Sequence, residues 1–372
     1  MAGSPSTGEP PSSPPRRRFT DRARGAGRAA ARGLTSFGRS VVILWRVLRA
    51  NPLTLVGFVL VVLIAATAAI MVTVPSLLTS FGVDQLTLDY NQAPSLHHLF
   101  GTDGNGIDIF AMVLYGLPVD LAIAFAITGV ALIGGGGLGL FAGFWDRPGS
   151  VGGAVSVFIM RVTDIFLSFP SLILALAIAV SLGRGVWQLI VAVLLTWWPY
   201  YVRLVRGETL AVKHLPYIMA ARAAGVNERR IVLRHVLRNV LEPVIVYFTL
   251  DIGTVLVTLS TIGYVGLGVN YPTTPEWGSM ISYYQNAGLI GTYPWTVLGP
   301  GAAIFITVLA FSLLGDGLRD VLDPRSRRVL AGTPSRPSTS PAEREEEAEE
   351  VAGEVLEIPG PLPSAQEVNA PA

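Results

Sequence analysis

Residues Tyr217 to Asn239, YIMAARAAGVNERRIVLRHVLRN, decide how the rest of the chain is interpreted. The alanines of the first half are strong helix formers with little side-chain bulk. Gly225 is expected to end that helix, and Asn227 is placed to cap a second one. A simple connection between two membrane spans needs only a few polar residues. Two helices with small residues at this point therefore indicate a docking surface for another protein.

The composition indicates a membrane protein. Of the 372 residues, 51% are hydrophobic and only 14% are charged, whereas about a quarter of a typical soluble protein is charged. The mean hydropathy is +0.52. The sequence contains no cysteine, which excludes disulfides, thiolate metal sites and a cysteine nucleophile.

Six apolar stretches are long enough to form transmembrane helices. They cover roughly residues 53–77, 114–144, 154–181, 187–204, 240–265 and 295–314. Within the third stretch, Pro170 predicts a kink. The second stretch carries Gly135, Gly139 and Gly143 at four-residue intervals, a pattern that lets another helix approach closely in lipid. The predicted fold is all-α and polytopic, with six transmembrane helices.

The distribution of positive charge predicts the orientation. Arginines are concentrated in the first 49 residues, around residues 203–238 and after residue 318. The segments on the other side contain a single positive residue, Arg184. Because positive residues are enriched in cytoplasmic loops, the amino terminus, the carboxyl terminus and the central loop are predicted to be cytoplasmic, in a multi-pass protein of the bacterial plasma (inner) membrane.

The chain is predicted to have four parts. Residues 1–39 form a disordered, Arg/Pro-rich cytoplasmic tail. Residues 40–112 contain an interfacial helix, the first transmembrane helix and an outer segment. Residues 113–318 form the core domain with five transmembrane helices and the loop 206–239. Residues 319–372 form a cytoplasmic tail that is disordered and acidic after about residue 331.

Polar residues within the predicted spans are of interest because a charge at the bilayer centre costs about 2.5–3.5 kcal/mol. Asp251 lies deep in the fifth span, where it either lines a transport path or makes a buried hydrogen bond. Arg161 and Asp164 are three residues apart and are expected to pair. An aromatic belt at the membrane interface is predicted for four residues of the fourth span, Trp197, Trp198, Tyr200 and Tyr201.

The sequence offers no candidate catalytic, cofactor-binding or metal-binding residues. A P-loop requires a lysine after its glycines, and the single lysine, Lys213, lies in no such motif. The chain is therefore not expected to be an enzyme or to bind ATP. Zinc sites need clustered ligands at defined spacing, which the four histidines lack. His97 and His98, with Asp103 and Asp108, are interpreted as a capped outer turn rather than a cation site.

The central segment resembles the EAA loop of permease subunits of binding-protein-dependent ABC importers, E-A-A-x-x-x-G followed by I-x-x-R-H-x-x-P-N. Met219 replaces the usual Glu and Arg238 the usual Pro. Further matching stretches are FGTD (100–103), DIFLSFP (164–170), GLG (266–268) and LLGDGLRDVLDPR (313–325). These stretches most resemble C-type subunits of dipeptide, oligopeptide and nickel permeases.

The resemblance implies a type I importer permease fold of the MetI-like kind and a set of partners. These are a second homologous permease, two cytoplasmic ATPases that bind the ATP, and an extracytoplasmic solute-binding protein, all at a lipid membrane and without nucleic acid. The implied ATPase-coupling residues are Met219, Ala220, Ala221, Arg222, Gly225, Arg229, Arg230, Ile231, Arg234 and His235.

The outer segment 266–294 is expected to offer a surface for the solute-binding protein, with Trp277 and Gly278 as contact residues. Alternatively, this segment is re-entrant or interfacial and shapes the helix bundle.

Three functional hypotheses follow. The first is a permease subunit of an ABC importer, for dipeptides or oligopeptides or, alternatively, for nickel or another small solute. The second is a self-contained channel or secondary carrier, which would transport without ATPase partners. The third is a membrane enzyme, which the absence of catalytic clusters disfavours.

Overall fold

The computed structural model describes residues 52–83 and 85–322. The predicted tail 1–39, the predicted interfacial helix at residues 40–50 and the predicted acidic tail after residue 331 lie outside the described residues. The predicted position of both termini therefore stays a prediction.

The described part of the chain is helical and contains no β-strand beyond an isolated bridge between Thr102 and Asp108. Its helices are α1 (Pro52–Thr73), α2 (Ile109–Phe144), α3 (Val151–Leu167), α4 (Ser171–Leu182), α5 (Val186–Lys213), α6 (Pro216–Ala223), α7 (Glu228–Ile231), α8 (Leu237–Ile262), α9 (Trp277–Asn286) and α10 (Trp295–Leu322). A short 3₁₀ turn covers Pro75–Leu77, and two π-helical turns, Val232–Val236 and Gly263–Leu267, flank α8. The all-α prediction is confirmed.

Among the helices of residues 52–83 and 85–322, five are long and apolar enough to cross a membrane, and a sixth crossing results if α3 and α4 together form one span. These two helices meet at an angle of 85°. Pro170 lies at the break, where it precedes the first residue of α4. Proline cannot donate a backbone hydrogen bond, so the predicted kink is confirmed and amounts to a sharp bend.

Two predicted boundaries differ from the structure because polar residues extend the helices. Helix α2 begins at Ile109, five residues before the predicted span, since the Asp108 side chain accepts a hydrogen bond from the Ala111 amide at 2.7 Å. Helix α5 continues to Lys213. The central loop, predicted to begin at residue 206, therefore begins inside a helix.

The three glycines of α2 pack against α5, as their spacing predicted. A Cβ atom added to Gly139 would lie 2.5 Å from the Val202 carbonyl oxygen, and one added to Gly143 would lie 2.6 Å from the Thr209 Cβ. A Cβ on Gly135 would clash with the Trp198 carbonyl. At the end of this contact, Lys213 Nζ donates to the Gly143 carbonyl at 2.8 Å and so caps α2.

The expected pairing of Arg161 with Asp164 is wrong. Asp164 Oδ1 accepts a hydrogen bond from Arg203 Nη2 of α5 at 2.8 Å. A partner on the adjacent helix replaces the local one because α3 packs beside α5.

Candidate functional site

The predicted coupling segment, residues 217–239, contains two short helices joined by a tight turn. Helix α6 ends at Ala223, and Gly225 follows with a φ of +75°, a backbone conformation that favours glycine. The Asn227 side chain then accepts a hydrogen bond from the Arg229 amide at 2.9 Å. The predicted helix break and the predicted cap are both confirmed.

Apolar side chains fix this segment to the membrane helices. A group of buried residues at this end of the bundle, here called the loop-end cluster, contains Phe144, Val205, Val212, Ile218, Ile231, Val232, Val236, Val240 and Val244. Ile218 and Ile231 are completely buried in it. The cluster includes residues of α5 and α8, so the segment packs directly against the helices that precede and follow it.

The opposite face of the segment is exposed. Met219 is 51% exposed, and Ala220, Gly225, Arg229, Arg230 and Arg234 are exposed as well. A Cβ atom on Gly225 would have no atom within 4 Å. Ala221 and His235 are half-buried. The exposed face thus combines small side chains with free space and two adjacent arginines.

Arg222, a predicted coupling residue, is exposed and also forms contacts within the protein itself. Its Nε atom donates to Glu228 Oε1 at 3.0 Å, and its guanidinium lies 5.8 Å from the centre of the Phe144 ring. Arg147 Nη2 donates to the same Glu228 oxygen at 2.8 Å. Glu228 therefore joins both short helices to the α2–α3 connection, a role that its neighbouring residues in the sequence did not indicate.

Arg234 and His235 lie in the π-helical turn Val232–Val236. A π-turn contains one more residue than an α-helical turn and is often found at functional sites. Here Val232 and Val236, four residues apart, are buried in the loop-end cluster, and Arg234 between them is exposed.

The membrane interior contains a hydrogen-bonded site around Asp251, which is 4% exposed. Trp197 Nε1 donates to both carboxylate oxygens, at 2.9 and 3.1 Å, and the Tyr201 hydroxyl donates to Oδ2 at 2.8 Å. The predicted buried hydrogen bond of Asp251 is confirmed. The same carboxylate lines a cavity of about 290 Å³, and its place on a transport path stays a prediction.

The predicted aromatic belt is wrong for Trp197 and Tyr201. Both are buried in the helix bundle, and their polar atoms hydrogen-bond to Asp251 instead of water or lipid headgroups. A carboxylate at this depth needs donors, and α5 supplies them on the face turned towards α8. A count of aromatic residues in one span does not reveal which of them face inward.

Trp277 and Gly278 lie in the protein interior. Trp277 is 1% exposed, its Nε1 donates to the Val113 carbonyl at 3.0 Å, and its backbone amide donates to Asp120 Oδ2 at 3.1 Å. A Cβ on Gly278 would clash with the Ser260 backbone. Because both residues are buried, neither can contact a solute-binding protein without a rearrangement of the outer segment.

Buried carboxyl groups also organise the opposite end of the bundle. Glu276 caps α9 by accepting hydrogen bonds from the Gly278 and Ser279 amides, both at 2.7 Å, and burial raises its pKa. His98 Nδ1 lies 2.8 Å from Asp108 Oδ2. Within residues 52–83 and 85–322, no group of three or more metal-ligating side chains could hold an ion.

The sequence matches one protein family and individual members of it. The sequence profile of the family described as "Binding-protein-dependent transport system inner membrane component" matches residues 135–328. A dipeptide transport system permease protein of Alkalihalophilus pseudofirmus is 39% identical over 281 residues, which cover 75% of this chain and 88% of the relative. A glutathione transport system permease protein of Salmonella typhimurium is 40% identical over 287 residues, which cover 76% and 89%.

Among solved structures, a chain of the MetNI methionine ABC transporter, in inward facing conformations, is similar with a TM-score of 0.46. The two sequences are 22% identical, and the match covers 56% of this chain and 96% of that chain.

Proposed function

Because this chain belongs to the family of binding-protein-dependent transport system inner membrane components, we propose that it imports peptide-like solutes with a second, homologous permease. Two ATPases would dock on its coupling segment, and ATP would bind to them and not to this chain. The relatives at 37–40% identity carry names of dipeptide and glutathione permeases, which supports a peptide-like substrate.

The observation that supports coupling most directly is the two-sided character of residues 217–239. One face, with Ala220 and Gly225, is exposed and has small side chains. The other face is anchored by Ile218 and Ile231 in the loop-end cluster. A helix with small residues can enter a cleft deeply, and the exposed Arg229 and Arg230 can form charge-assisted hydrogen bonds at its rim. Movement of a docked ATPase would then tilt α5 and α8.

The solute-binding protein would bind to the opposite end of the bundle, at the outer side of the plasma membrane. There the structure leaves large apolar side chains exposed before α2, among them Leu88 and Leu96. Exposed apolar side chains that cluster are typical of protein interaction surfaces, which supports this segment as a contact region. They replace Trp277 and Gly278 as the proposed contact region.

A substitution on the exposed face of α6 tests the proposal. We expect Ala220→Trp to lower solute-stimulated ATP hydrolysis and uptake at least tenfold in proteoliposomes that contain both permeases, the ATPases and the binding protein. The large ring would prevent α6 from entering a cleft. The matched control Ala220→Ser changes the same position with little bulk and should retain both activities.

The competing hypothesis, a self-contained carrier, predicts a different result. Uptake by liposomes that contain this chain alone, with neither ATP nor ATPases, would overturn the proposal. Full activity of the Ala220→Trp complex would likewise exclude docking at this face.

A further inference from the structure

The cavity beside Asp251 lies within the helix bundle, between α4, α5 and α8. Its lining combines one carboxylate with aromatic and small polar side chains: Ser171, Trp197, Tyr200, Tyr247, Leu250, Asp251 and Thr254. The volume is about 290 Å³, near the lower limit of about 300 Å³ for small-molecule pockets. A cavity of this size has room for the amino-terminal end of a peptide.

The carboxylate in this cavity lacks a positive partner among the described residues. Its donors are the indole of Trp197 and the hydroxyl of Tyr201, both of which are neutral. The ion pairs of the described part of the chain involve other carboxylates. A buried charge is costly unless a charge of opposite sign pairs with it, so the site favours an incoming cation.

The aromatic side chains favour the same kind of ligand. Trp197 and Tyr200 have ring centroids 5.6 Å apart, and Tyr247 lies 5.4 Å from the Tyr201 ring. The faces of aromatic rings attract ammonium groups, most strongly where water is excluded. A carboxylate among several such rings is therefore suited to an organic ammonium ion.

We propose that the Asp251 cavity binds a primary ammonium group, namely the amino terminus of the transported peptide. This inference rests on the proposed function and adds a substrate contact within this chain. The ammonium would donate hydrogen bonds to the lone pairs of the Asp251 carboxylate that Trp197 and Tyr201 do not use. It would lie against the rings of Tyr200 and Tyr247. The remainder of the peptide would extend out of the cavity.

The test compares a cation with its neutral analogue. The full chain is purified with the membrane subunits that accompany it, without the solute-binding protein, and titrated with L-alaninamide and with N-acetyl-L-alaninamide. Binding is measured by saturation-transfer NMR. We expect saturable binding of the cationic L-alaninamide, and at least tenfold weaker binding of the acetylated compound.

Variants test whether the Asp251 carboxylate is responsible for L-alaninamide binding. Asp251→Asn should weaken L-alaninamide binding at least tenfold, while the amide still accepts from Trp197 and can donate to Tyr201. Asp120→Asn removes another buried carboxyl group, one outside the cavity, and should leave binding unchanged. Should Asp251→Asn fail to assemble, Tyr247→Leu removes an aromatic face without changing the Asp251 hydrogen bonds and should weaken binding severalfold.

The outcomes separate this inference from the function on which it rests. Equal binding of the two amides by the wild-type protein, or wild-type affinity in Asp251→Asn, would overturn the ammonium site even if peptide uptake is normal. If the complex takes up no peptide but Asp251→Asn still loses L-alaninamide binding, the ammonium site stands and the proposed transport function fails.

Discussion

At the scale of single residues, Glu276 and Asp120 show how carboxyl groups hold the outer segment. Glu276 caps α9, and Asp120 Oδ2 accepts a hydrogen bond from the backbone amide of Trp277, the first residue of that helix. Both side chains are fully buried. Burial disfavours the ionised form of a carboxyl group, so the pKa of Glu276 lies above its ordinary value of 4.5.

This raised pKa predicts that stability falls as the pH rises. Below pH 4.5 the Glu276 carboxyl is protonated in both the folded and the unfolded state. Its contribution to the stability of the folded state is then fully present. As the pH rises further, the unfolded state releases the proton first, and the folded state loses stability until Glu276 itself ionises. We expect the melting temperature of the purified protein to decrease from acidic to neutral pH.

Glu276→Gln should reduce this slope, which thermal melts at a series of pH values would measure. The slope should not vanish, because burial also raises the pKa of Asp103. A variant with the same pH dependence as the wild type would contradict the assignment to Glu276.

At the scale of the elements, the contact between α2 and α5 depends on glycines along one face of α2. Gly139 leaves no room for a side chain beside the Val202 carbonyl. Gly137, two residues away on the same helix, is exposed and has no atom within 4 Å of an added Cβ. The two positions therefore provide a matched pair.

We expect Gly139→Ala to destabilise the protein by about 1–3 kcal/mol, the usual effect of an overpacked contact. Gly137→Ala should be neutral or stabilising, since alanine favours a helix by about 1 kcal/mol relative to glycine. Melting temperatures of both variants in detergent would show the difference. Equal effects at the two positions would mean that helix propensity, and not the approach of α5, determines the outcome.

The elements also show what a sequence can predict. The turn at Gly225, the cap at Asn227 and the bend at Pro170 follow from the local chemistry of one residue type, and all three were predicted. The partners of Asp251 lie 50 and 54 residues away in the chain. Their identification requires the rotation of α5 relative to α8, which the apolar pattern of either helix alone does not determine.

The same limit explains why the partners of two charged residues were not predicted. Asp164 and Arg161 share a helix, so their spacing suggested a pair, but Arg203 reaches Asp164 from α5. Arg222 was predicted to be a coupling residue, which stays a prediction, and its ion pair with Glu228 within the segment was not foreseen. In both cases a residue close in space and outside the local pattern provides the partner.

At the scale of the whole molecule, the number of crossings determines which segments share a side of the membrane. Within the described residues, five helices and the bent pair α3–α4 give six crossings if the pair crosses once. With an even number of crossings, the start of α1 and the end of α10 lie on one side. The coupling segment and residues 85–106 are then on opposite sides of the membrane.

Single cysteines can test this orientation, because the sequence contains none. We expect Leu96→Cys, at a position that is 100% exposed, to react with a membrane-impermeant maleimide in intact spheroplasts. Ala211→Cys, at the exposed end of α5, should react only after permeabilisation. Reaction of Ala211→Cys in intact spheroplasts would place the coupling segment outside and exclude docking of cytoplasmic ATPases.

The hydrogen bond from Lys213 to the end of α2 has a practical consequence. Lys213 is the single lysine of 372 residues, so apart from the α-amino group an acylating reagent has one amine to modify. The Lys213 Nζ atom lies against the Gly143 carbonyl, so the reagent would label only the place where the ends of α2 and α5 meet. A change in the rate of acylation during turnover would therefore report a change in the surroundings of this one amine.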